Sequence, residues 1–449
     1  MAKVITTNII TSELGKFGYI VLQKNTTNRQ QNMGRIKSII KNLGPGLLFA
    51  SMAIGTSHLV LSTKAGAQYG WFMIIPIILA NLLKYPFFEF GIRYTNVTGK
   101  SIIEGYNDRG RGYLWLYAFI TLATSLASPA ALCSITAGLF INLFGITTVS
   151  ITTVAVGLFT FNSIILIIGK YKLLETTLKF LIPILFIALL STTVLVINAG
   201  PVTPIVDFKA PELFDEFGIL FLITLIGWMP TAVEGSSWLS LWSAEKYRVD
   251  KNKPLLKEAL QEFNTGYILT AVLAIFFLTI GCMTLYGSGT ELSGNAVTFA
   301  DQVISLFTTH IGDWAYVLIA VSAFATMYST CLTQHDAIAR VSVDVIGLLV
   351  GEHNKFTEKK YYAAGIIIIS VTSIIVLVAL GANMGVILAT ATVISFVLAP
   401  LVGYMNLKNV MSTDFPQKYQ PKKGLQLLTY TGILFLSLLS LYYCWTLIF

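Results

Sequence analysis

Charged side chains are scarce in this chain. Its 449 residues include 30 lysines and arginines and 22 aspartates and glutamates, together 12% of the sequence, whereas 55% of the residues are hydrophobic. A typical soluble domain is about 25% charged, so the composition and the repeated apolar runs predict a polytopic protein of the lipid bilayer. The net charge of +8 is explained by lysine and arginine in cytoplasmic loops. No basic stripe or base-reading motif occurs, so no nucleic-acid partner is expected.

Cysteines are few, and catalytic motifs are missing. All four cysteines lie in apolar runs and none forms a Cys-x-x-Cys pair, which favours small buried side chains over a disulfide or a metal site. No nucleophile–base set stands out, so we expect neither an enzyme nor a cofactor. Residues 1–36 are polar and contain no short apolar region with a cleavage site. We interpret them as a disordered cytoplasmic tail without a cleavable signal peptide.

Eleven apolar stretches are predicted to span the membrane as helices. They are residues 43–65, 71–94, 113–144, 148–168, 173–197, 218–241, 265–286, 314–332, 361–380, 385–407 and 425–448. The first is interrupted near Gly55 and the sixth near Met229. The eighth is expected to continue as a helix towards Val350.

Positive charge alternates between the segments that connect these spans. Lysine and arginine precede the first span and follow the second, fourth, sixth, eighth and tenth, whereas residues 198–217 contain one lysine and residues 287–313 contain no lysine or arginine. Because positive charge is enriched in cytoplasmic loops, the N-terminus is predicted to lie in the cytoplasm and the C-terminus outside the cell. The expected location is the cytoplasmic membrane.

The order of the spans predicts an inverted repeat. Five spans end by residue 198 and five more end by residue 407, and the two sets start on opposite sides of the membrane. After the tail of residues 1–36, we therefore expect a first repeat at 37–198, an extracellular loop at 199–217 and a second repeat at 218–407. Residues 408–449 form a cytoplasmic loop and an extra eleventh helix. The oligomeric state is not predicted.

The two interruptions contain the candidate binding residues. These are Gly55, Thr56, Ser57 and His58 in the first span, and Met229, Thr231 and Glu234 in the sixth, where Pro230 causes the interruption. Glycine is flexible and proline lacks an N–H donor, so both residue types break helices. A broken membrane helix presents carbonyls that attract cations and N–H groups that attract anions, and a pair of such spans indicates a midplane substrate site. The alternative is a pair of kinks that only shape the packing.

Ionisable groups inside spans are costly and often functional. His58 is either a ligand or proton carrier, or a packing residue whose ring nitrogens are satisfied. Glu234 either acts in the site or pairs with a buried lysine. Met229 is a soft metal ligand if it faces the site and a core residue otherwise.

A charged pair lies in the extended part of the eighth span. Asp336 and Arg340 are four residues apart, a spacing that brings opposite charges together on a helix. They form either an inner gate or proton-linked group, or a plain salt bridge at a helix end.

Several short motifs recur in a characteristic order and spacing. They are the GPG sequence at Gly44–Gly46, AGAQYG at Ala65–Gly70, Arg93 with Thr98–Lys100, LFGI at Leu143–Ile146, and Met229-Pro230. In these motifs the chain resembles the NRAMP family of proton-coupled divalent-metal transporters over roughly residues 44–407. The resemblance implies an all-α LeuT-like fold, a 5+5 inverted repeat with about 11 transmembrane helices of which the first and sixth are broken. It also implies a symporter that works by alternating access.

The chain departs from this family at the residues that the resemblance would make metal ligands. The family's Asp-Pro-Gly-Asn motif aligns with Gly55–His58, so a glycine replaces the aspartate and a histidine replaces the asparagine. The family's Met-Pro-His motif ends here in Thr231. The acidic residues of the third span, linked to proton movement, and the arginines of the ninth span have no counterparts in residues 122–138 and 361–380. The resemblance therefore implies a divergent branch.

Three functions stay open from the sequence. The leading one is transport of a cation, a divalent metal ion first. Its site would be rebuilt from His58, Met229 and Glu234 and from the hydroxyls of Thr56, Ser57 and Thr231. Such a mixture of soft and hard donors suits a transition metal better than magnesium. The alternatives are transport of a small organic solute, such as an amino acid or amine, and a membrane sensor that transports nothing.

Overall fold

The computed structural model describes residues 44–146, 148–379 and 384–446, and its regular elements within these ranges are helices. In chain order they begin with α1 Pro45–Ala53, α2 Thr63–Tyr69, α3 Ile74–Thr98, α4 Ile102–Arg109, α5 Arg111–Phe144, α6 Ile151–Ala199, α7 Glu216–Trp228 and α8 Gly235–Asp250. They continue with α9 Leu256–Thr284, α10 Ala296–Ile311, α11 Tyr316–Val350, α12 His353–Phe356, α13 Lys359–Ala379, α14 Met384–Val410 and α15 Lys423–Thr446. Within the described residues, each of the eleven predicted spans falls on helix, the first and sixth with a gap; the predicted tail lies outside the described residues.

The first span is broken where the sequence predicted. Helix α1 ends at Ala53, and helical structure resumes as a π-helical turn at Ser57–Ser62, which leads into α2. The chain then turns at Gly70, whose φ of +68° is costly for other residue types, and continues into α3. Gly55 lies in the gap between α1 and the π-helical turn, so the predicted interruption is confirmed.

The sixth span is broken in the same way. Asp215 caps the start of α7 by accepting a hydrogen bond from the Gly218 N–H at 2.7 Å. The helix ends at Trp228, and α8 begins at Gly235. Pro230 lies in the gap and has no N–H to continue the helical ladder. The predicted break near Met229 is confirmed.

Glycines allow both halves of the first span to pack closely on α9. A Cβ on Gly46 would lie 2.5 Å from the Glu262 carbonyl oxygen, and one on Gly66 would lie 2.2 Å from the Leu278 carbonyl oxygen. Gly281 of α9 meets the Thr63 carbonyl oxygen in the same way, at 2.1 Å. Small residues let membrane helices approach backbone to backbone. The broken span is therefore fixed against α9 on both sides of its gap.

The fourth and fifth spans form one helical element, α6, that folds back on itself. A Cβ on Gly169 would lie 2.5 Å from the Cβ of Leu173, whereas side chains four apart on a straight helix are about 5–6 Å apart. The chain is therefore sharply bent here. Along the first limb, Asn162 contacts Cys331 and Ile168 lines the same cleft as Arg340, so this limb runs parallel to α11. Well after the bend, Thr192 lines the same small cavity as the N-terminal part of α11. The two limbs thus run in opposite directions, as two separate spans require.

Two segments that the sequence analysis took as connections contain helices. Helix α10 lies within residues 287–313, and α4 lies between the second and third spans. Asn295 caps α10 by accepting hydrogen bonds from the N–H groups of Val297 and Thr298, and its apolar face buries Phe299 and Val303. An amphipathic helix of 16 residues is too short and too polar to read as a span. The connection between the seventh and eighth spans therefore contains a helix that the sequence analysis did not predict.

Candidate functional site

A small cavity lies between the two helix breaks. Its volume is about 20 Å³, a little more than the roughly 10–15 Å³ that one water molecule needs. Pockets for organic ligands measure roughly 300–1,000 Å³. The wall includes Met52, Ala53, Thr56, Ser57, Trp228, Thr231, Trp238, Thr330 and Gln334. We call this space the break cavity; in this conformation it fits a single small particle.

Three of the predicted binding residues meet in the wall of the break cavity. Thr56 and Ser57 come from the first break and Thr231 from the sixth. Ser57 joins the two breaks, because its hydroxyl lies 2.7 Å from the Ala53 carbonyl oxygen and 3.1 Å from the Pro230 carbonyl oxygen. The structure therefore brings these three residues together, and their role in binding stays a prediction.

Other wall residues were missed by the sequence analysis. Thr330 and Gln334 belong to α11, an unbroken helix, and Met52 precedes the first break. A spacing of four residues places Thr330 and Gln334 on the same face of α11. Two polar residues with this spacing inside an apolar span could have marked them as wall residues. The sequence does not say, however, which neighbouring helix they face.

His58 does not line the break cavity in this conformation. It is fully buried, with its Nε2 atom 2.9 Å from the Thr270 carbonyl oxygen and its Nδ1 atom 2.8 Å from the Ser57 hydroxyl. A carbonyl only accepts, so Nε2 carries a proton, and in the neutral ring Nδ1 is an acceptor. The single Ser57 hydroxyl proton goes either to Nδ1 or to one of the two carbonyl oxygens that the hydroxyl contacts. Both ring nitrogens have protein partners. The ligand role of His58 stays a prediction.

Gly55 and Met229 are buried close to the site without lining the cavity. A Cβ on Gly55 would lie 2.5 Å from the side chain of Thr330. The threonine of α11 therefore fills the space that a side chain at position 55 would need. Met229 is fully buried at the end of α7, and its N–H donates to the Ile226 carbonyl. Its role as a metal ligand likewise stays a prediction.

Two buried ionisable residues flank the break in the sixth span. Lys84 of α3 is fully buried and donates to the carbonyls of Ile226 and Gly227, the latter at 2.8 Å, so it satisfies the C-terminal end of α7. Glu234 lies directly before α8 and accepts a hydrogen bond from the Ser395 hydroxyl at 2.9 Å. Lys84 and Glu234 attract each other through space. Neither lines the break cavity.

The residues that line the break cavity are therefore uncharged. Apolar side chains, among them Leu132 and Ala232, make up much of the wall beside the hydroxyl residues, the amide of Gln334 and the thioether of Met52. Over the described part of the chain, no group of three or more His, Cys, Asp or Glu residues is arranged to hold a metal ion. Helix α1 directs its C-terminal end, which is partly negative, towards the cavity. Such a wall suits a small cation or a neutral hydrogen-bonding group.

Asp336 and Arg340 form a buried network rather than an isolated pair. The Asp336 carboxylate is fully buried and accepts from Arg340 Nε at 2.8 Å, from Trp242 Nε1 at 2.8 Å and from the Tyr362 hydroxyl at 2.5 Å. The Arg340 guanidinium also lies 4.7 Å from the centroid of the Tyr362 ring. The network therefore joins α8, α11 and α13.

This network lies between the break cavity and a large cleft. The cleft has a volume of about 850 Å³ and is lined by residues that include Ser101, Glu245, Arg340, His353 and Tyr362. Along α8 the order is Trp238 in the cavity, Trp242 in the network and Glu245 in the cleft. Along α11, Gln334 precedes Asp336, which precedes Arg340. Both helices thus pass from the cavity through the network to the cleft.

Comparison with solved structures finds transporters with the same arrangement. The manganese transporter of Eremococcus coleocola, in the form of a point mutant, is 14% identical and superposes with a TM-score of 0.68, covering 90% of this chain and 86% of that chain. MhsT in complex with L-phenylalanine is 13% identical with a TM-score of 0.58, covering 90% and 97%. At these identities the likeness establishes the fold, which is LeuT-like with the first and sixth spans broken.

Sequence comparison is more specific. An uncharacterized protein of Pasteurella multocida (strain Pm70) is 31% identical over 403 residues, which are 89% of this chain and 90% of the relative. The model of the Nramp family, described as natural resistance-associated macrophage protein-like, matches residues 46–446. The family match covers all the spans that surround the break cavity. The chain therefore belongs to the Nramp family of membrane transporters.

Proposed function

We propose that this protein carries a small cation, a divalent metal ion first, across the membrane by alternating access, with the break cavity as the binding site. One observation supports the proposal above the others: the space between the two breaks holds a single small particle. An amino acid or amine would need a much larger pocket. The fold shared with a manganese transporter and the family membership also support it.

The uncharged wall limits how tightly such a cation is held. A dication that loses water needs negative charge or many oxygen ligands in compensation, and here the hydroxyls of Thr56, Ser57 and Thr231 are neutral. The thioether of Met52 adds a soft donor, which favours cadmium and other soft dications over magnesium. We propose a modest affinity and a preference for softer dications.

The Asp336–Arg340 network is proposed as the inner gate of this transporter. It separates the break cavity from the large cleft along both α8 and α11. The cleft opens among Arg248, Lys359 and Lys360, on the side where the loops are rich in positive charge. This supports an orientation with the cleft and the N-terminus in the cytoplasm, and a location in the cytoplasmic membrane.

Uptake into proteoliposomes tests the proposed function. Purified protein should take up Mn²⁺ or Cd²⁺ saturably and leave Mg²⁺ outside, and Thr231→Val should reduce uptake at low metal concentration because it removes a wall hydroxyl. Thr431→Val, on an exposed part of α15, is the matched control and should match the wild type. If the wild type takes up no cation but accumulates amino acids or amines, the organic-solute alternative replaces this proposal.

The predicted roles of the residues outside the cavity wall are tested separately. Calorimetric titration of Mn²⁺ and Cd²⁺ should show weaker binding in His58→Ala if its ring becomes a ligand in another conformation of the transport cycle. Uptake driven by an inward proton gradient should fail in Glu234→Gln if this carboxylate carries the proton. Wild-type behaviour of both variants would confine the site to the residues that line the cavity here.

A further inference from the structure

Gln334 of α11 has an oxygen without a partner at the break cavity. Its side chain lines the cavity and is 5% exposed, and among the described residues its Oε1 atom accepts no hydrogen bond. A buried polar atom without a partner is costly, by about 1–3 kcal/mol. Such an atom in the wall of a cavity that holds one particle marks a place for a ligand.

The orientation of this amide is fixed by the neighbouring helix α5. Gln334 Nε2 donates to the Ser128 hydroxyl oxygen at 2.7 Å, and Ser128 in turn donates to the Thr124 carbonyl at 2.8 Å. Since a serine has only one hydroxyl proton, Ser128 accepts from Gln334 and cannot donate to it. The amide nitrogen is therefore the end held by α5, and Oε1 is the end left over.

Helix α11 also fills space in the first break, at Gly55, which has no side chain. The Thr330 side chain fills the space next to Gly55, and Gln334 lies one turn further along the same face. The first break supplies hydroxyl and backbone oxygens to the cavity, and α11 adds the side-chain amide oxygen of Gln334, which has no partner among the described residues.

Trp228 bears on the identity of the occupant. It lines the same cavity, and its Nε1–H also has no partner among the described residues. An N–H repels a bare cation but donates to a water oxygen. In a cavity with room for a single particle, a cation at the amide oxygen leaves this N–H without a partner, whereas one water molecule would satisfy both groups. Metal titration distinguishes the two occupants.

We propose that Gln334 is a direct ligand of the transported cation and sets its affinity and selectivity. This inference rests on the proposed function. Because the amide is neutral, the site releases its cargo readily. Gln334→Glu would place a full negative charge at the same position. Gln334→Leu would remove the oxygen and replace the amide with an apolar side chain of similar size.

Calorimetric titration of the purified full-length protein with MnCl₂ and CdCl₂ tests the proposal. We expect Gln334→Leu to weaken binding at least about 10-fold and Gln334→Glu to strengthen it about 10-fold, the equivalent of ~1.4 kcal/mol in each direction. Ser128→Ala, which frees the amide to rotate, should weaken binding less than Gln334→Leu does. The matched control Gln426→Ala, at the start of α15, should leave binding unchanged.

The outcomes separate this inference from the proposed function. If the wild type binds neither metal, the metal-transport proposal fails, and the role of Gln334 as a ligand fails with it. If the wild type binds and both Gln334 variants bind equally well, the cavity holds only a water and the inference is overturned while the function stands. If Gln334→Leu does not fold, unchanged affinity in Gln334→Glu overturns the inference by itself.

Discussion

The N-terminal end of α1 is held by a carboxylate from another helix. Glu262 of α9 accepts hydrogen bonds from the backbone N–H groups of Gly44 and Gly46, the second at 3.1 Å. Those groups have no partner within α1 itself. Lys246, which forms an ion pair with Glu175 at 3.2 Å, also attracts this carboxylate. Glu262 therefore ties the first half of the broken span to α9.

We predict that Glu262→Ala frees this end of α1. Hydrogen bonds to a charged group contribute about 1.5–3 kcal/mol each, and a carboxylate at a helix N-terminus adds about 0.3–1 kcal/mol. Because both N–H groups share one oxygen, we take about 3 kcal/mol for the whole contact. Since about 1.4 kcal/mol is a factor of ten, the opening equilibrium of α1 should shift by roughly 100-fold. Glu262→Gln keeps a neutral acceptor and should shift it by about 10-fold.

Hydrogen–deuterium exchange measures this opening directly in the purified full-length protein. Peptides that cover α1 should lose roughly 100-fold protection in Glu262→Ala, while peptides from α5 and α14 keep theirs. Gln261→Ala replaces the exposed neighbour on α9 and is the control. Protection of α1 within threefold of the wild type in Glu262→Ala would refute the reasoning, because packing alone would then hold the helix end.

Three further predictions concern other parts of the molecule. Asp336→Asn should lower stability by roughly 3 kcal/mol or more, because it leaves a buried guanidinium without its counter-charge; an unchanged thermal midpoint would contradict the network. The hydrogen bond from His353 to Asp344 raises the pKa of His353 above 6.5. The stabilisation by protonated His353 is therefore complete below pH 6.5 and is lost as the pH rises through the folded-state pKa. His353→Ala should flatten the change in thermal midpoint between pH 6 and 8. Gly55→Ala should cost about 1–3 kcal/mol, because its Cβ would lie 2.5 Å from the Thr330 side chain. Thr330→Gly should recover part of this loss of thermal stability in the double variant, because it also removes the Thr330 Cβ, which would lie 2.7 Å away.

The sequence by itself determined the helices and the positions of their breaks. Sparse charge and long apolar runs require spans whose backbone is satisfied within each helix, and Gly55 and Pro230 are residues that interrupt such helices. Short motifs in a fixed order identified the family, which the match over residues 46–446 confirmed. These are local properties, because a helix satisfies its hydrogen bonds within one stretch of chain. The sequence analysis did not predict α10, because the pattern of an amphipathic helix is weaker than the long apolar run of a membrane span.

Only the tertiary structure decided which polar groups meet at the breaks. Thr56, Ser57 and Thr231 reach the cavity as expected, but Gln334 joins them from a helix about a hundred residues further along the chain than Thr231. Conversely, His58 turns to the Thr270 carbonyl of α9 and away from the cavity. Spacing along a helix fixes which residues share a face, but not which neighbour that face meets. That choice depends on how the helices pack, and therefore on backbone contacts such as the glycine-lined approach of the first span to α9.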